Sequence, residues 1–209
     1  MKKSIFVILL LTACWHTTMA QNTVESIRER YQAMKEYVAN HTSTDKYDGA
    51  YFGQFYHLEG RQWLPATGGH IEDTYLYYDE VESDDEDVIY APHYVKFVIK
   101  KYNYAAREYY EEYLYDADGN VAFIYAYDPM NSFEDDQHDQ QYEFRFYFNK
   151  GKLLKAIVKC KNHDEKEYKE VWNANTIKPL YAEAMDQYKD YAKQLRQLFI
   201  NIEKEAYVY

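Results

Sequence analysis

Two segments with the same pattern determine the predicted fold: YEEYLYDADGNV (residues 110–121) and YEFRFYFNKGKL (residues 142–153). They align without gaps, so that Gly119 corresponds to Gly151. Glycine readily takes the positive φ that tight turns require, and aromatic residues of the kind that flank both glycines are favoured in strands. The two segments therefore predict two β-hairpins of one antiparallel meander, with turns at these glycines.

Further strand signals lie upstream of the hairpins. The segments GQFYHLEG, HIEDTYLYYDE, HYVKFVIKKYNY and REYYEEYLYD are rich in aromatic and β-branched residues, several with a period of two. In the third, the alternation predicts that His93, Val95, Phe97 and Ile99 share one side of the strand. We expect a meander of about six to eight strands.

A helix is predicted on each side of the strand-rich region. The first begins after Asn22, which with Glu25 fits an N-cap and its reciprocal acid, and ends near Asn40. The second begins at Pro179, a favoured first-turn residue. Each helix has a stripe of apolar residues that must be covered, and the sheet provides the cover, so we predict an α+β fold. The predicted stripe of the second helix is Leu180, Ala184, Tyr188, Tyr191, Leu195, Leu198 and Ile202.

The N-terminal residues have the pattern of an export signal. Lys2 and Lys3 precede an apolar run over residues 5–11, which is far too short to span a bilayer. Cleavage after Ala20 would release the chain into the periplasm or the medium, whereas the lipobox-like LTAC (residues 11–14) would leave it anchored through a lipidated Cys14. We predict a signal peptide over residues 1–20, with both processing routes open, and one α+β domain over residues 21–209.

The charge balance argues against nucleic acid as a partner. The chain has 24 basic and 35 acidic residues, a formal charge of −11, and removal of Lys2 and Lys3 would make it −13. Such a chain repels phosphate, and no cluster of Lys and Arg offsets that repulsion. Apart from the signal region, no apolar run suggests a transmembrane segment. The oligomeric state stays open at this stage.

The hairpin segments resemble a group of secreted proteins and lipoproteins. EYLYDADGNV and YEFRFYFNKGKLLK, together with TTMAQN at the end of the signal region, are similar to uncharacterised secreted or lipoprotein families of gut Bacteroidetes. The resemblance covers about 50 residues. It implies a location in the cell envelope and transfers no catalytic or binding residue.

Tyrosine is unusually frequent, with 26 residues among 209. Most of them fall in predicted strands, where a tyrosine ring packs while its hydroxyl stays hydrated. Exposed tyrosines also form contact surfaces for sugars and peptides, because the rigid ring loses little entropy on binding. The candidate binding patch on the hairpins consists of Tyr109, Tyr113, Tyr115, Tyr125 and Tyr127.

Several residues are of types that support catalysis or metal binding, but none belongs to a specific motif. Cys160 alternates with apolar residues and is predicted to be a small buried hydrophobe. Asp116 opens a segment that partly matches a calcium loop, but Tyr127 stands where the distal glutamate should be. Three histidines on different strands, two of them with a glutamate two residues away, could bind zinc if neighbouring strands brought them together. They are His57, His70 and His93, with Glu59 and Glu72.

These observations favour an exported, non-catalytic accessory or binding module of the cell envelope, with an unknown ligand. The sequence predicts no catalytic residue, no metal ligand and no cofactor, and leaves glycans, peptides and envelope proteins as candidate partners. One alternative is a carrier that encloses an apolar ligand between Leu195 and the strand containing Phe144 and Phe148. A third is a glycan-acting hydrolase with two convergent carboxylates.

Overall fold

The computed structural model describes residues 22–81, 91–133 and 139–206. Cys14 and Ala20, the two processing positions predicted from the sequence, lie outside this part of the chain. Among the described residues, no helix has the length and apolar character needed to cross a membrane.

The described chain forms one eight-stranded antiparallel sheet with two main helices. Strand order in the sheet equals strand order in the sequence, so that every strand pairs only with its sequence neighbours. The predicted α+β meander with an N-terminal and a long C-terminal helix is confirmed. The elements are α1 Val24–Asn40, β1 Phe55–Leu64, β2 Gly68–Glu80, β3 His93–Tyr104, β4 Arg107–Tyr115, β5 Val121–Asn131, β6 Gln140–Asn149, β7 Lys152–Asn162, β8 Lys169–Ala174, a 3₁₀ turn Pro179–Tyr181 and α2 Ala182–Ala206.

The N-terminus of α1 is capped one residue later than predicted. Thr23, not Asn22, is the N-cap, and its hydroxyl accepts a hydrogen bond from the backbone N–H of Ser26. In return the Ser26 hydroxyl accepts from the backbone N–H of Thr23. The prediction for Asn22 and Glu25 was wrong because a serine at the third helical position can complete a capping box as glutamate does.

Both predicted hairpins are present. Gly119 lies between β4 and β5 with φ of +77°, and Gly151 lies between β6 and β7 with φ of +78°. Each hairpin also contains a β-bulge close to its turn, on the returning strand, where Ala122 and Leu154 have no directly opposite partner. A bulge adds one residue to one strand and so shifts the pairing of everything beyond it.

The sheet is the middle layer of three. Alternate residues along each strand point to opposite sides, and each side has its own hydrophobic cluster, one with α1 and one with α2. We call these sides the α1 face and the α2 face. The larger cluster lies on the α2 face, where Phe144, Phe146 and Phe148 pack beneath Tyr188 and Leu195.

Strand β3 differs from the predicted alternation. Val95 belongs to the α2 face, whereas Phe97 and Ile99 belong to the α1 face. The cause is a bulge, because Tyr77 of β2 pairs with Phe97 while the next residue pairs with Val95, which leaves Lys96 as the extra residue. The predicted grouping of His93, Val95, Phe97 and Ile99 on one side is therefore wrong.

The buried stripe of α2 also differs in part from the prediction. Leu180 precedes α2 in the 3₁₀ turn and is 40% exposed, and Leu198 is 38% exposed. Ala192 and Phe199, which the predicted stripe omits, are 1% exposed. The observed stripe follows the spacing of four and three residues that keeps one side of a helix against a flat sheet. It consists of Ala184, Met185, Tyr188, Ala192, Leu195 and Phe199.

Candidate functional site

Helix α1 covers one half of its face of the sheet. The ring centroid of Tyr31 lies 4.7 Å from that of Phe123 on β5, and the ring of Tyr37 lies 6.3 Å from that of Tyr77 on β2. Tyr77 and Phe123 belong to the same cross-strand row, so these contacts place α1 across the strands, over the ends of β2–β5 that lie away from the β3–β4 turn. No helix of the described chain covers the half of this face nearer the β1–β2 and β3–β4 turns.

A row of side chains crosses this uncovered half at right angles to the strands. The strand register places Lys101 opposite Tyr110, Tyr110 opposite Tyr127, and Tyr127 opposite Glu143. Directly opposite residues of an antiparallel sheet point to the same side, so the row lies wholly on the α1 face. We call it the tyrosine row, and its members from β1 to β7 are Glu59, Asp73, Lys101, Tyr110, Tyr127, Glu143 and Lys159.

An open cavity of about 560 Å³ lies over the middle of the tyrosine row. Asp73, Lys101, Tyr110 and Tyr127 line it, and Glu108 adds a second carboxylate. Its volume falls within the range of roughly 300–1,000 Å³ that is common for small-molecule sites. The cavity therefore combines two tyrosine rings with charged and polar groups that could form hydrogen bonds with a ligand.

The wall of the cavity at the turn end is held by Asn103. Its amide nitrogen donates to the carbonyl oxygens of Gly69 and Ala105, at 2.8 Å and 2.9 Å, and its amide oxygen accepts from the backbone N–H of Ile71 at 2.7 Å. One side chain thus connects the β1–β2 hairpin with the β3–β4 turn. The wall is preorganised because both turns are fixed to the same amide.

Two charged side chains of the tyrosine row contact neighbouring side chains that limit their movement. The Lys101 ammonium lies 5.7 Å from the ring centroid of Tyr75, and the Asp73 carboxylate is 2.7 Å from Nε2 of His57. Tyr127 is half-buried, and burial, with the nearby Asp128 carboxylate, raises the pKa of its hydroxyl. The Tyr127 hydroxyl therefore keeps its proton near neutral pH and can both donate and accept hydrogen bonds.

Glu112 is a buried carboxylate that joins α1 to the sheet. It is 1% exposed and accepts hydrogen bonds from the hydroxyls of Tyr31 and Tyr110 and from the Lys35 ammonium. Tyr31 and Lys35 belong to α1, whereas Tyr110 belongs to the tyrosine row. Glu112 therefore fixes the Tyr110 ring at the edge of the cavity and positions α1 beside it.

Glu111, the preceding residue, is buried on the α2 face. Its carboxylate accepts a 2.8 Å hydrogen bond from the Tyr102 hydroxyl and another from the Tyr113 hydroxyl. Burial raises the pKa of Glu111, while these hydroxyls and the Lys100 charge lower it to a smaller extent. A raised pKa suits a general acid, but the 1% exposure of Glu111 leaves its carboxylate enclosed beneath α2.

The raised pKa of Glu111 predicts a pH effect on stability. A carboxyl group with a higher pKa in the folded state favours unfolding as pH rises through that pKa, because the folded state must then lose a proton that it holds more tightly. We expect Glu111→Gln to gain stability relative to the wild type as pH rises above about 4.3, the usual pKa of glutamate in an unfolded chain. Urea unfolding of both proteins between acid and neutral pH measures this difference.

Glu108→Gln is the matched control, because Glu108 is an exposed glutamate of the same strand. A constant free-energy difference between Glu111→Gln and the wild type across this pH range would contradict the assignment of a raised pKa to Glu111.

The candidate aromatic patch is divided between the two faces of the sheet. Tyr113 and Tyr115 are buried beneath α2, with exposures of 0% and 3%, and Tyr115 donates a 2.7 Å hydrogen bond to the carbonyl oxygen of Ala192. Tyr125 and Tyr127 lie on the α1 face, and Tyr127 lines the cavity. Tyr109 also lines the cavity, but it alternates with Tyr110 along β4 and so belongs to the α2 face, where its ring stacks on that of Tyr102 with centroids 4.9 Å apart. The sequence pattern did not identify Tyr110, Asp73 or Lys101, because only the register across strands brings them together.

The three candidate metal-binding histidines lie apart from one another. His57 contacts Asp73, His70 lies 2.5 Å from the carbonyl oxygen of Asn103, and Nδ1 of His93 lies 2.8 Å from a Glu203 oxygen. Within the described ranges, no group of three His, Cys, Asp or Glu residues has the geometry of a metal site.

Asp116 and Cys160 both have structural roles. Asp116 accepts a 2.8 Å hydrogen bond from the backbone N–H of Asn120, which closes the β4–β5 turn. Cys160 is 6% exposed within the α2-face cluster, as predicted for a buried hydrophobe.

The space considered for an apolar ligand is occupied by side chains. Leu195, Phe144 and Phe148 are between 0% and 8% exposed and belong to one packed cluster. The ring of Tyr188 lies 6.0 Å from that of Phe144, within the range of aromatic contact. This packing favours a surface site on the α1 face over a ligand between α2 and β6.

A second cavity of about 500 Å³ lies beside α1, and its character is different. Arg30 and Lys96 are among its lining residues, but Arg30 donates to the Asn22 side chain at 2.8 Å and Lys96 to Asp79 at 2.9 Å. Its charged groups have protein partners, and residues of α1 form part of its wall. The tyrosine row is the better candidate for ligand binding because it crosses the half of the face that no helix of the described chain covers.

Comparison of the chain with protein-family models, with curated proteins and with solved structures finds no match. The resemblance of the hairpin segments to secreted and lipoprotein families stays a prediction, and the geometry of the tyrosine row carries the functional argument.

Proposed function

We propose that this protein is an exported, non-catalytic binding module that holds a neutral carbohydrate chain across the tyrosine row. The observation that carries the proposal is the open cavity over Tyr110 and Tyr127 on a sheet half without a covering helix. Export is inferred from the N-terminal pattern, and the N-terminal residue of the purified protein distinguishes release after Ala20 from anchorage at Cys14.

The chemistry of the cavity supports a sugar ligand. The apolar side of a sugar ring can pack on a tyrosine ring, while its hydroxyls form hydrogen bonds with carboxylates and amines at the rim. Asp73, Glu108 and Lys101 provide such groups around the two rings. The mixed signs of charge along the row and the acidity of the whole chain disfavour a strongly anionic ligand.

The shape of the row favours a chain over a single sugar unit. Seven strands about 4.8 Å apart place its two ends roughly 29 Å from each other. Charged residues occupy both ends, and the two tyrosines occupy the centre. A ligand that extends along the row would contact several strands at once.

We expect Tyr127→Ala to weaken carbohydrate binding at least about tenfold, because it removes a central ring that loses little entropy on binding. The measurement is a glycan-array screen of the wild-type protein, followed by calorimetric titration of both proteins with the best neutral oligosaccharide.

Tyr47→Ala is the control, since Tyr47 is a tyrosine 84% exposed outside the cavity, and its removal should leave the affinity unchanged. Equal loss of affinity in both variants would place the ligand elsewhere. A screen in which no neutral glycan binds would refute the proposed function.

A further inference from the structure

Strand β1 forms an open edge of the sheet. It pairs with β2 through ten consecutive residue pairs without a bulge, and in the described chain no strand pairs with its other side. The opposite edge, β8, is shorter, at six residues, and its pairing with β7 is interrupted by a register shift. Long regular edges pair readily with another strand unless charges, prolines or bulges prevent it.

The residues of β1 are self-complementary about Gly60. If two copies of β1 pair antiparallel with Gly60 opposite Gly60, Glu59 of each copy lies opposite Arg61 of the other. Both side chains are well exposed, at 41% and 74%, and their hydrogen bond within one chain shows that they lie on one side. The same register places His57 of each copy opposite Trp63 of the other, and Trp63 is 81% exposed.

We propose that the protein forms a symmetric homodimer through antiparallel pairing of β1 with β1 of a second copy, in the register that places Gly60 opposite Gly60. This arrangement is isologous, as two-fold symmetry requires, because each cross-strand pair occurs twice with exchanged roles. The partner of β1 is a second copy of the same strand, because the charge pattern of β1 is complementary to itself.

The dimer would be one continuous sheet of sixteen strands. The two-fold axis of this pairing is perpendicular to the plane of the sheet, so the α1 faces of both copies lie on the same side. The uncovered halves of the two α1 faces would then point in the same direction. Dimerisation in this form depends only on the edge of β1 and not on the identity of the ligand.

Charge reversal tests the register. Arg61→Glu places Glu59 opposite a glutamate in both symmetric pairs, and we expect the dimer dissociation constant to rise about tenfold. The double variant Glu59→Arg/Arg61→Glu restores opposite charges in the same register and should recover the wild-type constant. Sedimentation equilibrium across a concentration series measures all three proteins.

Lys193→Glu is the charge-matched control, because Lys193 lies on an exposed side of α2, away from β1. It should leave the dissociation constant unchanged. A wild-type protein that is monomeric over the whole series would overturn the proposal, as would a double variant no tighter than Arg61→Glu.

Disulfide crosslinking provides a second measurement that does not depend on charge. A Cβ built at Gly60 has its nearest contact at 3.8 Å, from Glu72, so Gly60→Cys fits the strand. In the proposed register the two introduced cysteines are directly opposite, within reach of a disulfide.

Gln62→Cys is the control for this crosslink. Gln62 is exposed on the same strand, but the register places it opposite Leu58 and several residues from its own copy. Oxidation should link the Gly60→Cys protein and not the Gln62→Cys protein. Equal crosslinking of both, or crosslinking of Gln62→Cys alone, would overturn the register.

Discussion

The Phe146→Ala variant is expected to unfold with a free energy about 3–5 kcal/mol below that of the wild type. Phe146 is fully buried in the α2-face cluster, between Phe144 and Phe148 on the same side of β6. The substitution removes the favourable free energy of transferring the ring out of water. It also leaves a cavity, because the neighbouring rings are held by the sheet and cannot move in to fill it. A loss of this size is a large fraction of the roughly 5–15 kcal/mol that stabilises a typical domain.

Urea denaturation followed by circular dichroism measures this effect, provided that both proteins have the same slope with denaturant. Phe52→Ala is the matched control, because Phe52 is 42% exposed and its truncation should cost less than about 1 kcal/mol. Similar losses for the two variants would show that the α2-face cluster is not the main source of stability.

The Glu112→Ala variant is expected to lose about 3 kcal/mol of stability. The substitution leaves the half-buried hydroxyls of Tyr31 and Tyr110, together with the Lys35 ammonium, without their shared acceptor. Removing one partner of a buried charged network costs more than the network contributes, because the remaining groups are still desolvated. The loss should be accompanied by faster amide hydrogen exchange in α1, since Glu112 is a principal polar contact between α1 and the sheet.

Glu108→Ala is the control for this variant, as Glu108 lies on the same face of β4 but is exposed, and its truncation should change stability by no more than about 0.5 kcal/mol. A double-mutant cycle of Glu112→Ala with Lys35→Ala separates the ion pair from the tyrosine contacts. If α1 exchanges at the wild-type rate in Glu112→Ala, the carboxylate does not hold the helix.

The elements of the fold were predictable because their signals are local. The turns at Gly119 and Gly151 follow from the backbone freedom of glycine, and the two helices follow from stripes of apolar residues. The cap of α1 was misplaced by one residue, and the stripe of α2 was partly wrong at Leu180 and Leu198. Both errors lie within single elements and leave the architecture unchanged.

The register of the strands was not predictable, because it depends on bulges. Extending the pairing of Tyr115 with Val121 down the β4–β5 hairpin would place Tyr110 opposite Ala126. The bulge at Ala122 shifts it by one residue, and Tyr110 faces Tyr127 instead. A single sequence has no reliable signal for a bulge, because the position of a bulge depends on how the sheet packs against the helices.

The candidate site was missed for the same reason. Its central residues come from β2, β3, β4 and β5, and only the observed register aligns Asp73, Lys101, Tyr110 and Tyr127. The five tyrosines of the predicted patch share only their position in the hairpin segments, and alternation along the strands distributes them over both faces. Composition indicated that tyrosine matters here without indicating which tyrosines are accessible.

The agreement between strand order and chain order has a consequence for folding. Every strand pairing joins neighbours in sequence, so the sheet has a low contact order for a β-rich protein and can assemble hairpin by hairpin. The two helices are the exceptions, because α1 contacts β5, and α2 contacts β3 and β5, across long stretches of chain. Docking of α2, the last element in the sequence, should come late, and until then the phenylalanines of β6 are exposed to other unfolded chains.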